Sequence, residues 1–225
     1  EYELRKKDGS ALWCELSGQA LDESIPADLK KGVLWTIIDI SERKILEEKV
    51  RDRSREIEVK NKQLEILATK DHLTGLYNRS KLDEDLKYCI RRSKRHGSVF
   101  GVIMMDIDYF KVVNDEHGHQ AGDIILQEFA TVLLQSSRET DAVGRWGGEE
   151  FLIIIENTDK ENIMNLAEKF RRTIEHHEFS VVKNKTASFG SAVYGSGDEI
   201  NTLISRVDQA LYRAKNSGRN RVEFF

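Results

Sequence analysis

The chain has 225 residues, 33% of them charged and 39% hydrophobic, with a formal net charge of −4. Such a globular composition is long enough for one substantial domain plus a smaller element. The acidic balance argues against a broad nucleic-acid-binding surface but leaves room for phosphate ligands held by metals or a few local cations.

The longest apolar run, around Phe100 to Met105, falls far short of the roughly 20 residues of a membrane helix, so no membrane contact is expected within this piece. Cys14 and Cys89 lie far apart without metal-ligand spacing, which suits a reduced, cytoplasmic setting with both thiols packed or idle. Residue 1 is Glu and the chain opens in strand-like text. It therefore reads as a fragment of a longer protein, with an upstream membrane anchor left open.

Residues 1–42 carry short alternating segments: Tyr2 to Arg5, a turn at Lys7-Asp8-Gly9-Ser10, Ala11 to Leu16, and Gly32 to Ile40. Asp-Gly between alternating runs is a hairpin signal, and three strands without a covering helix make a poor independent core. The stretches DGSALWCEL and KGVLWTIIDISERK resemble the C-terminal strands and exit motif of PAS sensor domains. That resemblance covers about the last third of such a domain, so its ligand-contacting helices are not expected here.

The next stretch, SERKILEEKVRDRSREIEVKNKQLEILATK, has no Gly or Pro and is dense in charge. Ser41 is a fair N-cap without a full capping box. Steps of four and three from Leu46 meet Val50, Arg53, Ile57, Lys60, Leu64 and Leu67, five of these seven being apolar. The pattern predicts a linker helix over 43–70 that pairs as a two-stranded coiled coil, hence a homodimer. A single solvated helix is the alternative, and it would bury few of these side chains.

From Asp71 helices and strands alternate. Helices are predicted near 79–95, 120–136, 159–177 and 199–216. Strands are predicted at 98–106, 142–145, 151–155, 186–194 and 221–225. The short connection between 142–145 and 151–155 makes those strands antiparallel neighbours. The expected fold is α+β, a palm-like, ferredoxin-like mixed sheet with packed helices, spanning 71–225.

Two clusters carry the chemistry. In MMDIDYFKVVNDEHGHQAGD an apolar strand ends in Asp106-Ile107-Asp108. Acids at a strand end resemble the palm of polymerases, where carboxylates hold Mg²⁺ against phosphates. For Asp108 and Asp115 a cap on a helix or turn is an equal reading; for Asp106, at the end of the apolar run, capping alone is insufficient. The second cluster is RWGGEEF, with Gly147, Gly148, Glu149 and Glu150. If the strands at 98–106 and 151–155 are neighbours, three carboxylates converge and repel unless a divalent cation lies between them. Hard oxygen ligands imply Mg²⁺ or Mn²⁺, and the glycines let backbone amides approach a phosphate.

GGEEF, DIDYFKVVND, DHLTGLYNR and LYRAKNSGRN together resemble the GGDEF-domain diguanylate cyclases, from about Asp71 to the C-terminus. The resemblance implies a nucleotidyltransferase that joins two GTP molecules into cyclic di-GMP and releases two pyrophosphates, with two metal ions per active site. It implies Asp106 as the shared metal ligand, the Ile107 carbonyl as another, Glu149 as ligand and base for the ribose 3′-hydroxyl, and Glu150 as accessory ligand. Asn114 and Asp123 match guanine-reading positions, and carboxylate and carboxamide suit that edge. Lys111, Lys215 and Arg219 match phosphate-contacting or charge-stabilising positions, although as bare residues Lys215 and Arg219 read as solvated cations near a helix C-terminus. His119 matches a substrate-side position or a structural hydrogen bond at a helix start, and Phe110 reads as core. Glu at the third motif position and Trp146 for the more frequent Tyr are small departures.

Arg138 and Asp141 form an RxxD pair that, in this family, marks an inhibitory site for product. The product contains two guanosines while each domain offers one pocket, so a C₂ homodimer is expected to bring two half-sites together. The alternatives are a non-catalytic module sensing GTP or cyclic di-GMP, or another nucleotidyl cyclase or polymerase palm.

Overall fold

The computed structural model describes residues 1–20 and 33–225; the segment expected to lead into the third strand, including Gly32, lies outside the described residues. The chain divides into two compact units, Glu1–Gln63 and Leu64–Phe225. In the first, β1 (Tyr2–Arg5), β2 (Ala11–Ala20) and β3 (Val33–Asp39) form an antiparallel sheet in that order. The Asp8 carboxylate accepts from the Ser10 N–H and hydroxyl at 2.9 and 2.6 Å, and Gly9 takes φ 85°, so the Asp-Gly turn forms as expected. Among the described residues of this unit only Cys14 and Ile40 are buried apolar side chains, while Leu34, Trp35, Ile37 and Ile38 stay exposed.

The helix α1 (Ser41–Thr69) follows without interruption and crosses into the second unit. Ser41 ties its start to β2, its hydroxyl accepting from the Trp13 N–H at 3.0 Å, while Asp39 accepts from the Ser41 N–H at 2.9 Å.

The second unit runs α2 (Arg79–His96), β4 (Phe100–Ile107), α3 (Phe110–His117), α4 (His119–Ser136), β5 (Ala142–Gly147), β6 (Glu150–Glu156), α5 (Lys160–Glu175), β7 (Ala187–Val193), α6 (Ile200–Asn216) and β8 (Val222–Phe224). The sheet order is β5-β6-β4-β7-β8, and only β7 and β8 pair in parallel. This is the expected palm-like α+β arrangement. Helix α3 was not anticipated from the sequence: eight residues are too few to be stable alone, and burial of Phe110 and Val113 fixes them.

Side-chain alternation along β4 sorts the two layers. Ile103, Met105 and Ile107 join Phe129 of α4 and Phe170 of α5 in one cluster. Phe100, Val102 and Met104 join Leu86 of α2 and Leu211 of α6 in the other. By the same period Asp106 belongs to the α2/α6 face, at the end of the central strand. Fully buried phenylalanines such as Phe129 and Phe170 each resist truncation to Ala by about 3–5 kcal/mol, so the sheet that carries Asp106 is rigidly backed. Both thiols are free and buried, and burial pushes the Cys89 thiol up to about 11.

Candidate functional site

Asp106 stands in register with Glu150 of β6 on one side and Ser188 of β7 on the other. Gly147 pairs with Glu150, so Gly148 and Glu149 alone form the loop between β5 and β6. Gly148 takes φ 52°, where a side chain would strain the backbone. A methyl group built on either glycine meets no atom of the chain within 4 Å. Internal packing therefore does not require glycine at 147, and the space beside the turn is open to a ligand.

The turn is strapped from behind. The Arg145 Nε donates to the Gly148 carbonyl at 2.9 Å, and its terminal nitrogen lies 3.4 Å from the Asp71 carboxylate. Asp71 also accepts from the Thr74 N–H and hydroxyl at 2.9 and 2.7 Å, closing the loop before α2. The DHLTGL segment thus reaches the glycine turn through Arg145, a connection that reading the two motifs separately did not find. Arg79, at the start of α2, stacks its guanidinium 4.5 Å from the ring centroid of buried Trp146.

The electrostatics centre on Asp106, which is only 8% exposed. Burial pushes its carboxyl up to about 6, the Lys215 ammonium 2.7 Å away opposes that rise, and Glu149 and Glu150 add to it. Burial likewise raises the Glu150 carboxyl. Lys215 reaches Asp106 because α6 lies tight on β7: a methyl group at Gly190 would come within 2.3 Å of the Leu211 N and the Val207 carbonyl. Ile107 is the last residue of β4 and its side chain is in the core, so any polar role falls to its backbone.

Asn114 and the exposed Lys111 lie on α3, and the exposed His119 and Asp123 lie on α4. Gly118, φ 83°, joins the two helices, its N–H donating to the Asn114 carbonyl at 2.9 Å. A methyl group at Gly122 would fall 2.1 Å from the Asn114 Oδ1, so this glycine allows the carboxamide to lie against α4. Asp108 resolves as a structural residue. Its buried carboxylate accepts from the Thr186 and Ser188 hydroxyls at 2.6 and 2.7 Å and from the Asn220 N–H at 3.0 Å. Arg219 lies 4.5 Å from the Tyr109 ring centroid.

Arg138 and Asp141 share the turn between α4 and β5, Arg138 exposed and Asp141 buried. The Asp141 carboxylate accepts from the Arg138 N–H at 2.9 Å, and the Asp141 N–H donates to the Arg138 carbonyl at 3.0 Å. Among the described residues no three His, Cys, Asp or Glu side chains form a ready-made metal cage, and no helix is long and apolar enough to cross a membrane.

A mixed five-stranded palm with a buried aspartate at the end of its central strand and an acidic glycine turn beside it defines the palm class of nucleotide-handling domains. The family model described as diguanylate cyclase, GGDEF domain, matches residues 68–221, and the chain belongs to that family. The chain is 39% identical over 162 residues to the response regulator PleD of Caulobacter vibrioides, covering 69% of this chain and 36% of that protein. It is 36% identical over 192 residues to diguanylate cyclase DgcM of Escherichia coli, covering 85% and 43%. It thus spans less than half the length of either relative. Among solved structures, the coiled coil and GGDEF domain of DgcB from Caulobacter crescentus in complex with c-di-GMP superposes with a TM-score of 0.72 at 30% identity, covering 80% of this chain and 99% of that one.

Proposed function

We propose that this chain carries a diguanylate cyclase half-site that condenses GTP into cyclic di-GMP as a homodimer. The observation that carries the reading is the buried Asp106, in register with Glu150 and neutralised by Lys215, beside an open Gly147-Gly148 turn. A divalent ion, Mg²⁺ or Mn²⁺, fits this donor set of carboxylates and a carbonyl. Mg²⁺ is commonly held by one or two carboxylates plus substrate phosphates, so a complete protein cage is not needed. Asp106, the Ile107 carbonyl, Glu149 and Glu150 would hold two such ions. When bound, the metal withdraws charge from the α-phosphate and lowers the pKa of the ribose hydroxyl.

Within each half-site Asn114 and Asp123 read the guanine edge, with His119 beside them, and Gly147 and Gly148 offer amides to the phosphates. Lys111, Lys215 and Arg219 offset phosphate charge. Glu149 takes the proton from the 3′-hydroxyl, whose oxygen attacks the α-phosphorus of the GTP held by the facing domain. The bond from that phosphorus to the bridging oxygen breaks and pyrophosphate leaves with the electron pair. The step occurs twice, giving one cyclic di-GMP and two pyrophosphates. Residues 1–42 supply the last strands of a PAS-like sensor and 43–70 a coiled coil that tethers two catalytic domains, which occupy 71–225.

Purified protein incubated with GTP and Mg²⁺ should release cyclic di-GMP. Glu149→Gln, which keeps the shape and removes the base, should slow it about 10²–10⁴-fold while GTP binding persists. Chromatography of the products decides, and GTP bound but unchanged by the wild type would favour a sensing module instead.

Arg138 and Asp141 form the product site in this reading. The exposed Arg138 guanidinium is free to take phosphate or guanine, while Asp141 shapes the turn. Arg138→Ala removes charge-assisted hydrogen bonds of about 1.5–3 kcal/mol. Cyclic di-GMP should bind about 10–100-fold more weakly by calorimetry, and progress curves should lose their early plateau. Unchanged product affinity would place the inhibitory site elsewhere.

A further inference from the structure

We propose that Asn220, clamped between the Asp108 carboxylate and helix α5, is a positioning residue that sets Arg219 at the nucleotide site. Three consecutive residues after α6 take left-handed backbone angles: Gly218 φ 111°, Arg219 φ 61° and Asn220 φ 45°. For a residue such as Arg219 that conformation is unfavourable, so surrounding contacts must impose it. The contacts are specific. The Asn220 N–H donates at 3.0 Å to Asp108, a carboxylate only 2% exposed and already anchored by two β7-side hydroxyls.

The Asn220 side chain is held from the other direction. Its amide donates to the Glu175 carboxylate at 2.6 Å, and its carbonyl accepts from Arg171 at 2.9 Å. Arg171 is itself fixed by Glu168 at 2.8 Å and Glu175 at 2.9 Å. The Asn220 amide, with Arg171, holds the Glu175 carboxyl below its usual range. Helix α5 thus acts on the nucleotide side through one amide.

The other end of the clamp is Tyr109, the residue after Asp108. Tyr109 also takes a left-handed angle, φ 56°, and its ring and hydroxyl receive the Arg219 guanidinium, the latter at 3.4 Å. Asp108 holds the backbone beside Arg219 and Tyr109 holds its head. Both sit immediately after β4, the strand that presents Asp106. Arg219 is therefore referenced to the same strand as the carboxylate it would work beside, although 113 positions separate Asp106 from Arg219 in sequence (219 − 106).

This inference rests on Arg219 as a phosphate contact, and its test separates the two ideas. Affinity of the full chain for a non-hydrolysable GTP analogue with Mg²⁺ is measured for Arg219→Ala, Asn220→Gly and Glu175→Ala, and for each of the last two combined with Arg219→Ala. Glycine at 220 tolerates the left-handed angle and keeps the N–H to Asp108, so only the tie to α5 is lost. Glu175→Ala, at the end of α5, removes one of the two bonds of that tie and leaves Arg171 on the Asn220 carbonyl, and it keeps the test available if the loop variant folds poorly. Complete loss of a charge-assisted phosphate contact weakens binding about 10–100-fold, and misplacement forfeits part of that. Asn220→Gly should weaken binding about tenfold and Glu175→Ala about threefold, with neither adding to Arg219→Ala. Factors that multiply with Arg219→Ala, or wild-type affinity in both α5-side variants, overturn the positioning role. Wild-type affinity in Arg219→Ala would overturn the phosphate contact itself.

Discussion

Asp106→Asn should abolish cyclic di-GMP synthesis while raising the melting temperature of the metal-free protein. The carboxyl titrates near 6, chiefly because burial disfavours its charge, with the Lys215 ammonium opposing and Glu149 and Glu150 adding to the rise. A folded-state pKa above the unfolded value means the favourable term is complete only below about pH 4. It is lost as pH climbs towards 6. At pH 7.5 the ionised side chain therefore costs the metal-free fold about 2–3 kcal/mol. Asparagine removes that cost, from which the opposing Lys215 ion pair is already subtracted. The gain of about 2–3 kcal/mol corresponds to about 4–12 °C.

Catalysis should move the opposite way. Loss of the proposed shared metal ligand removes several kcal/mol of charge stabilisation, on the order of 10³-fold in rate. Thermal melts in EDTA and in saturating Mg²⁺, beside product assays, check both halves. The wild type should gain stability with Mg²⁺ and the variant should gain little. A lower melting point for the variant in EDTA would show that the Lys215 contact outweighs the burial cost.

The apolar runs at 98–106 and 151–155 mark two buried strands, because buried central strands read as unbroken hydrophobic text; that they are neighbours, which the sequence left as a condition, is what brings Asp106 beside the glutamates. The register confirms that Asp106 faces Glu150. Phe110, also read as core, is 7% exposed on α3. What stayed hidden depends on contacts between distant positions. Helix α3 has too few residues to show periodicity, and Asp108 gave no sign whether it would bind a ligand or brace the loop at 218–220. Gly122 and Gly190 look like ordinary helix and strand glycines until Asn114 and the backbone of α6 are seen against them. The Arg145 strap to Asp71 and the Asn220 clamp join residues far apart in sequence. One chain without partners cannot signal such pairs by spacing.

The second large effect concerns α1. Polar replacement of Leu46, Ile57 and Leu64 together should leave each catalytic domain folded yet nearly silent at low protein concentration. None of the 29 residues of α1 is buried, and Leu46, Val50, Ile57, Leu64 and Leu67 are 53%, 64%, 58%, 62% and 73% exposed. A charged helix gains little from a row of apolar side chains in water. Against a second copy, the same row becomes the seam of a coiled coil. If each product molecule needs two facing half-sites, the coil sets their effective concentration, and losing it costs about 10²–10⁴-fold in avidity. Specific activity of the triple variant should therefore be low near 1 μM (roughly the scale at which untethered domains rarely meet) and climb with protein concentration. Its mass by light scattering should be that of a monomer. Fusing an unrelated parallel dimeric coil in the same heptad phase should restore turnover, and a half-turn phase shift should not, because the two sites would then face apart. A monomeric variant with full, concentration-independent activity would instead mean that a single domain completes both bonds.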